Sequence, residues 1–231
     1  MNKLRLYHGS EFIINNPVFG KGSPQNDYGQ GFYCTRDIEK AKEWAAQKRK
    51  PGFCNIYDID TTNLKILYLN NPKYSVLHWM TLLLQNRTQK IHNEALDFLY
   101  KHFSLDISKY DIIVGYRADD SYFKYAKDFL LDAITIESLS KAMKLGNLGL
   151  QTVIKTKEAF DRLKFIEAQP VQPEIYYNKF ITNDKAAREF YDTTIRNVPK
   201  STGTLITDII RNPKLLEQKL QIKIPETLRG I

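Results

Sequence analysis

Two short segments near the amino end constrain the fold more than any other feature of this chain. The first alternates apolar and polar residues, which is typical of a strand, and it ends at His8, Gly9 and Ser10. The second begins at Gly29, after a loop rich in Gly and Pro, and continues as a Gly-x-Gly-aromatic-Tyr strand that ends near Thr35. Together they place a histidine, open glycine backbone, a hydroxyl and aromatic rings within reach of one flat, polar ligand.

A helix is expected directly after the second strand. Asp37 is a good N-cap, because its carboxylate can accept hydrogen bonds from the free N–H groups of a first helical turn. Glu39 and Glu43 favour the same helix electrostatically. Trp44 lies on this helix, eleven residues after Tyr33, and supplies a second flat aromatic face.

Composition and charge bound the class of protein. Among 231 residues, 42% are hydrophobic and 26% are charged, and no apolar run approaches the ~20 residues of a membrane span. Because the amino end lacks the apolar stretch of a signal peptide, we expect a cytoplasmic protein with no membrane partner. The net charge of +8 fits an anionic cofactor, a nucleic acid or an acidic partner, and a solvated lysine-rich face explains it equally well. The two cysteines form no metal-binding pattern, so no metal is expected.

A change of composition at residues 169–173 divides the chain. We predict a first domain over residues 1–168 and a helical C-terminal extension over residues 169–231. The expected strands cover residues 4–8, 31–35, 53–59, 64–69, 110–116, 150–155 and 163–166. The expected helices of the first domain follow Asp37 and cover residues 75–102 (with a break near 86–88), 121–130, 138–145 and 157–163.

Each residue of the two opening segments has a chemical use and a structural alternative. A histidine donates from one ring nitrogen and accepts at the other, so His8 could hold a ribose hydroxyl, or it could be a satisfied structural histidine. Gly9 leaves its backbone open to a ligand amide, and Ser10 adds a hydroxyl. Tyr33 and Trp44 could flank an aromatic ring or belong to the core. A Gly-x-Gly that enters a strand argues against a Rossmann fingerprint.

In this order, the segments resemble a known superfamily. Residues 7–10 resemble the His-Gly-Ser/Thr opening strand of the ADP-ribosyltransferases of the diphtheria-toxin and poly(ADP-ribose) polymerase branch. Residues 29–33 resemble their Gly-x-Gly-aliphatic-Tyr strand, and a second stacking aromatic lies at an offset similar to that of Trp44. More closely, residues 27–45, 111–120 and 150–156 resemble a bacterial family catalogued as domain of unknown function 3990. That resemblance spans about residues 3–167 and leaves the tail uncovered.

The resemblance implies an α+β fold with a split pair of small, facing, mostly antiparallel sheets around a NAD cleft, followed by the helical extension. It implies a NAD-dependent mono-ADP-ribosyltransferase, a glycosyltransferase whose acceptor is a protein or a nucleic acid. Members of the bacterial family often look like toxins of toxin–antitoxin or phage-defence modules, so a small antitoxin partner is expected as well. A NAD glycohydrolase and a catalytically inactive NAD-binding module are the alternatives.

The resemblance also implies roles for individual residues. His8 would bind the adenosine-side ribose, and the Gly9 backbone, supported by Ser10, would clamp the nicotinamide carboxamide. Tyr33 and Trp44 would flank the nicotinamide ring. The residues implied in binding NAD are His8, Gly9, Ser10, Asp27, Gly31, Tyr33, Trp44 and Arg117, with Asp27 shaping the loop over the adenine side. The residues implied in catalysis are His8, Tyr33 and Gln151.

Gln151 is the main departure from the superfamily pattern. A glutamate normally occupies the matching strand, where it holds a ribose hydroxyl and stabilises a positively charged transition state. Glutamine can form the hydrogen bond but brings no negative charge, so the departure could lower the rate or restrict the chemistry. Glu137 and Glu158 are acidic alternatives, although each fits a solvated helix position.

The segment after the buried strand at residues 110–116 is unusually polar. Arg117 could pair with the NAD pyrophosphate or with an acceptor, and Asp119 or Asp120 could activate an acceptor group. A helix cap with an internal salt bridge is the structural alternative for these residues.

Overall fold

The computed structural model describes residues 2–87, 93–118 and 120–220, and within them the protein has an α+β fold with seven strands and nine α-helices. The strands are β1 (Lys3–Ser10), β2 (Phe32–Cys34), β3 (Gly52–Asp60), β4 (Ile66–Tyr68), β5 (Ile112–Tyr116), β6 (Leu150–Ile154) and β7 (Leu163–Val171). The helices are α1 (Ile38–Ala45), α2 (Val76–Asn86), α3 (Glu94–Phe103), α4 (Asp120–Leu130), α5 (Ile136–Ala142), α6 (Lys157–Asp161), α7 (Pro173–Phe190), α8 (Ile206–Arg211) and α9 (Leu215–Leu220).

The strands form two small sheets, as expected. One has the order β1-β3-β7 and is antiparallel throughout. The other has the order β2-β6-β5-β4, in which only the β4–β5 pair is parallel among the described pairs. We call them the three-stranded and the four-stranded sheet.

One hydrophobic core lies between the two sheets. Leu6 and Ile59 from the three-stranded sheet pack in one cluster with Cys34, Val114 and Ile154 from the four-stranded sheet. Residues that alternate along a strand point to opposite faces, so Leu4, Leu6 and His8 share the inner face of β1. The sheets also meet through backbone hydrogen bonds, because Tyr7 and Thr35 exchange N–H···O bonds of 2.8 Å in both directions. This bridge joins β1 to the end of β2 and positions the residues described below.

Helix α1 covers the outer face of the three-stranded sheet. Asp37 caps it, since its carboxylate accepts from the N–H groups of Glu39 and Lys40, which confirms the predicted N-cap. The helix buries Ala41 and Ala45, and its C-cap residue Ala46 is buried with them, in a cluster that contains Cys54, Ile56 and Val171. The small alanine side chains let the helix approach the sheet closely.

The last strand, β7, is longer than the sequence indicated. It was expected over residues 163–166, but it continues through Pro170 to Val171. Proline is tolerated there because β7 is an edge strand, where a missing N–H breaks no ladder on the outer side. The boundary expected after residue 168 therefore lies within a strand, and the division into two domains stays a prediction.

The chain divides into two compact units that are interleaved in sequence. The first contains residues 1–70, 106–117 and 147–185, and it holds both sheets. The second contains residues 71–105, 118–146 and 186–231.

The described part of the second unit is helical. Its core includes Leu77, Leu83 and Phe103, and Tyr125 stacks on Tyr191 with ring centroids 4.0 Å apart. The expected break near residues 86–88 is present, because α2 ends at Asn86, but residues 88–92 and Asp119 lie outside the described residues. Among the helices described, none is long and apolar enough to cross a membrane.

Candidate functional site

The predicted site begins where β1 and β2 meet. The Nδ1 atom of His8 lies 2.6 Å from the backbone carbonyl oxygen of Tyr33. A carbonyl oxygen can only accept, so Nδ1 carries the proton and Nε2 is the acceptor nitrogen of the neutral ring. Burial lowers the pKa of His8 below its usual range and outweighs the opposing effect of the Tyr33 carbonyl. At neutral pH, the His8 ring is therefore neutral, and its Nε2 can accept a hydrogen bond from a hydroxyl group.

The His8 ring is held in place by an aromatic neighbour. Its centroid lies 4.5 Å from that of Phe32, and the two ring planes are tilted by 31°. Phe32 in turn packs edge-on against Tyr57. The aromatic residue of the Gly-x-Gly-aromatic-Tyr segment therefore orients the histidine.

Gly9 lies against helix α1. A Cβ atom at this position would come within 2.6 Å of the Ala45 backbone nitrogen, and closer still to the Ala41 carbonyl oxygen. A side chain of any kind therefore does not fit between β1 and the helix. The same close approach brings Trp44 to Gly9, since that Cβ would lie 3.0 Å from the Cβ of Trp44. Sequence reasoning did not predict this packing role.

The Ser10 hydroxyl takes part in a network centred on Asn55. The Nδ2 atom of Asn55 donates to the Ser10 hydroxyl at 3.0 Å, and that hydroxyl donates to the Phe12 carbonyl. Asn55 also donates to the Phe12 carbonyl, and its Oδ1 accepts from the Ile14 N–H at 2.8 Å. Asn55 is fully buried and holds the loop after β1 against β3. Sequence reasoning missed it, although a lone amide inside an apolar strand was a usable signal.

Trp44 and Arg117 stack on each other. The centre of the Arg117 guanidinium lies 4.4 Å from the centroid of the Trp44 ring, a cation–π arrangement. The Arg117 N–H donates to the Gly149 carbonyl at 3.1 Å, which fixes the backbone after β5 beside the start of β6. Two residues that the resemblance assigns to NAD are thus in contact, although 73 positions separate them in the sequence.

Tyr33 braces the turn that precedes its own strand. Its hydroxyl donates to the Gly29 carbonyl at 2.6 Å and accepts from the Tyr28 N–H at 3.0 Å. Gly29 has φ = 71°, in the left-handed region that favours glycine. Gly31 packs against β6, because a Cβ there would lie 2.6 Å from a methyl group of Val153. The hydroxyl of Tyr33 therefore holds the backbone of residues 28 and 29 beside its own strand.

Gln151 is on the same face of the four-stranded sheet as Tyr33. Tyr33 is the direct partner of Val153 across the β2–β6 ladder, and Gln151 lies two residues from Val153 on the same strand. The Nε2 atom of Gln151 donates to Oδ2 of Asp27 at 2.9 Å and to the Tyr116 carbonyl at 3.3 Å. Both side chains are buried, with relative exposures of 3% for Gln151 and 4% for Asp27.

Lys155 donates hydrogen bonds to the turn at residues 27–30, which Gln151 contacts through Asp27. Its Nζ atom donates to the carbonyls of Tyr28 at 2.7 Å and of Gln30 at 2.6 Å. Burial lowers the pKa of the Lys155 ammonium. Residues 27–30 are thus held to β6 at both ends, by Gln151 and by Lys155, and they lie over the face that carries Tyr33. Lys155 is a further residue that sequence reasoning did not single out.

The acidic alternatives to Gln151 have structural partners. Glu158 is on α6 and forms an exposed ion pair with Arg162. Glu137 belongs to the second unit, where its carboxylate accepts from the N–H of Thr204 at 2.9 Å and from its hydroxyl at 3.2 Å.

A cleft of about 370 Å³ opens on the other face of the four-stranded sheet. Leu150 and Thr152 line it, and their side chains point away from the face of Gln151. Its lining is mostly apolar, with Arg36 and Asp37 among its polar members. The cleft is therefore distinct from the face that carries Tyr33 and Gln151.

The predicted site residues fall into three contact groups within the first unit: His8 with Tyr33, Gly9 with Trp44 and Arg117, and Asp27 with Gln151. Ser10 is joined to Asn55, and Gly31 to Val153.

Comparison with known proteins places the chain in one family. Residues 4–165 match the family described as "Protein of unknown function (DUF3990)", and the chain belongs to that family. No curated protein and no solved structure matches the chain.

Proposed function

We propose that this protein is a NAD-dependent mono-ADP-ribosyltransferase that modifies a macromolecule. The observation that carries the proposal is the junction of β1 and β2, where His8 binds the backbone of Tyr33 and Trp44 lies beside Gly9. These are the residues by which the sequence resembles the superfamily. What supports the proposal is that His8, a neutral acceptor, meets the backbone of Tyr33, and that the next residue, Gly9, lies beside Trp44.

In the proposed reaction, the bond between the ribose C1′ and the nicotinamide nitrogen breaks. Nicotinamide leaves as a neutral molecule with the bonding electrons. A nucleophilic atom of the acceptor then bonds to C1′ and releases its proton to solvent or to a base. Positive charge develops on the ribose as the bond breaks, so the site needs groups that stabilise it.

The residues of the site have distinct proposed roles. Nε2 of His8 accepts a hydrogen bond from a ribose hydroxyl, and the rings of Tyr33 and Trp44 flank the nicotinamide. Arg117, stacked on Trp44, meets the negative pyrophosphate. The acceptor is a protein or a nucleic acid, and we extend the proposal to a toxin that a small antitoxin neutralises.

Incubation of the protein with a bacterial lysate and NAD labelled in the ADP-ribose part tests this proposal. Label retained on protein or nucleic acid is the expected result. Free labelled ADP-ribose alone would mean that water is the acceptor, as in a NAD glycohydrolase. If no NAD is consumed with any candidate acceptor, the enzymatic proposal is wrong and a non-catalytic binding module remains.

A binding measurement tests the site itself. Calorimetric titration with NAD should give a clear binding signal for the wild type, and the double variant His8→Ala/Tyr33→Ala should lose it. Asp161→Ala is a matched control, because Asp161 is exposed and pairs with Lys157 on α6. Unchanged affinity in the double variant would show that the site lies elsewhere.

A further inference from the structure

The buried pair of Asp27 and Gln151 suggests how the site acquires the negative charge that glutamine lacks. We propose that Asp27 is a positioning residue that supplies this charge through its hydrogen bond to Gln151. The pair would then do the work of a single glutamate. This role rests on the proposed function, since it concerns stabilisation of positive charge on the ribose of NAD.

The hydrogen bonds fix which end of the Gln151 amide can meet a ligand. Among the described residues, the two partners of this amide are the Asp27 carboxylate and the Tyr116 carbonyl, at 2.9 and 3.3 Å. An ionised carboxylate and a carbonyl only accept, so both must face the amide NH₂ group. The oxygen Oε1 is therefore the group left for a ligand. It is an acceptor, like the carboxylate oxygen of a glutamate at the same position.

Burial makes the charge of Asp27 effective at this position. Asp27 and Gln151 are both almost fully enclosed, so water screens the carboxylate weakly. A carboxylate that accepts from the NH₂ group draws the proton toward itself and increases the negative character of Oε1. The strand pairing places this charge on the same face of the four-stranded sheet as Tyr33, whose ring is proposed to contact nicotinamide.

A purely structural role is the competing explanation. Asp27 could serve only to tether the turn at residues 27–30 to β6, together with Lys155. The variant Asp27→Asn separates the two roles, because the asparagine carbonyl can still accept from Gln151 while the charge is gone. Asp27→Ala removes both the tether and the charge.

Exchange of the charge between the two positions gives the sharpest test. In the double variant Asp27→Asn/Gln151→Glu, the asparagine NH₂ group can donate to the new glutamate, so the hydrogen bond is kept in reverse and the total charge is unchanged. The single variant Gln151→Glu places two carboxylates side by side. One of them must then hold a proton near neutral pH, which should destabilise the protein.

The rate of NAD consumption is measured with the full chain for the wild type and each variant. Thermal melting reports whether each variant is folded, and calorimetry gives its affinity for NAD. Asp27→Asn should lower kcat roughly 100-fold while KM and NAD affinity stay within about 3-fold, because the lost charge acts on the transition state. Asp27→Asn/Gln151→Glu should recover kcat to within about 10-fold of the wild type. Asp27→Glu, which keeps the charge on a longer side chain, should retain more turnover than Asp27→Asn.

The outcomes separate this role from the proposed function. If the wild type consumes NAD and Asp27→Asn matches it within about 3-fold, or the double variant is no faster than Asp27→Asn, then Asp27 supplies no charge to the reaction. If Asp27→Asn does not fold, a folded double variant with less than about one-hundredth of the wild-type kcat leads to the same conclusion. A wild type that neither binds nor consumes NAD refutes the proposed function itself, and the role of Asp27 with it.

Discussion

Replacement of Gly9 by alanine should destabilise the protein through packing, before any ligand is considered. The added Cβ would lie within 2.6 Å of the Ala45 nitrogen and closer still to the Ala41 carbonyl oxygen. Both atoms belong to the backbone of α1, so a change of side-chain rotamer cannot relieve the contact, and the helix must move away from β1. Overpacking of this kind costs about 3 kcal/mol at its upper range.

The magnitude can be read from thermal and urea unfolding. A loss of about 3 kcal/mol corresponds to a fall in Tm of roughly 6–12 °C for a chain of this size. Gly52→Ala should behave in the same way, because a Cβ there would lie 2.5 Å from the Ala45 carbonyl oxygen and 2.9 Å from that of Ser10. The two glycines are on adjacent strands under the same helix.

Gly20→Ala is the matched control. No atom of the described residues lies within 4 Å of a Cβ at this position, but φ is +81°, so the variant reports backbone strain without a steric clash. Strain of this kind costs about 1–2 kcal/mol. If Gly9→Ala is as stable as the wild type, or no less stable than Gly20→Ala, the close packing of β1 on α1 is wrong.

Three further changes test local parts of the fold. Asp37→Ala should destabilise the protein by about 1 kcal/mol in urea unfolding, because α1 loses its cap. Asp37→Asn keeps an acceptor oxygen, so its free energy of unfolding should stay within a few tenths of a kcal/mol of the wild type. Equal losses in the two variants would contradict the cap. Asn55→Ala should cost about 2 kcal/mol because it leaves the half-buried Ile14 N–H without its acceptor. Asn55→Asp should not recover this loss, because a buried carboxylate oxygen would replace the NH₂ group that donates to the Phe12 carbonyl. An unchanged urea midpoint for the alanine variant would contradict the network. Arg5 and Lys3 lower the pKa of Asp58 to about 2, below its value in the unfolded chain. The Asp58 carboxylate therefore stabilises the fold above that unfolded value, and this stabilisation is lost as the pH falls from about 4 toward 2. Asp58→Asn should flatten this part of the curve of stability against pH, and an unaltered curve would rule the ion pairs out as its cause.

Local chemistry made part of the fold predictable. The N-cap at Asp37 and the helix after it follow from interactions within one turn, and the strand that contains His8 follows from alternation over a few residues. The end of β7 was predicted too early, because Pro170 suggested a break in the strand. A proline excludes a strand only when its position in the sheet is known, since edge strands tolerate it. The α+β class with two small sheets followed from the resemblance, whereas nothing in the sequence predicted the two interleaved units.

The contacts within the candidate site depend on distant pairs. Asp27 and Gln151 lie 124 positions apart, and nothing local to either one predicts their hydrogen bond. The same holds for Arg117 over Trp44 and for Asn55 under Ser10. Sequence reasoning could identify residue types suited to NAD, but it could not identify which atoms are already engaged. Among the described contacts, these engaged atoms leave Nε2 of His8 and Oε1 of Gln151 as acceptors that a ligand could use.

Because these residues also support the fold, loss of activity in a single variant is weak proof of a catalytic role. Gly9 lets α1 pack closely on β1. The Tyr33 hydroxyl donates to the turn at residues 27–30, and Asp27 joins that turn to β6. Truncation of any of them would lower activity through misplacement as readily as through lost chemistry. The informative variants keep the hydrogen bond and change one physical property, as Asp27→Asn removes charge alone. An exchange of charge between positions 27 and 151 goes further, because a structural defect cannot be repaired by moving the carboxylate from one side of a hydrogen bond to the other.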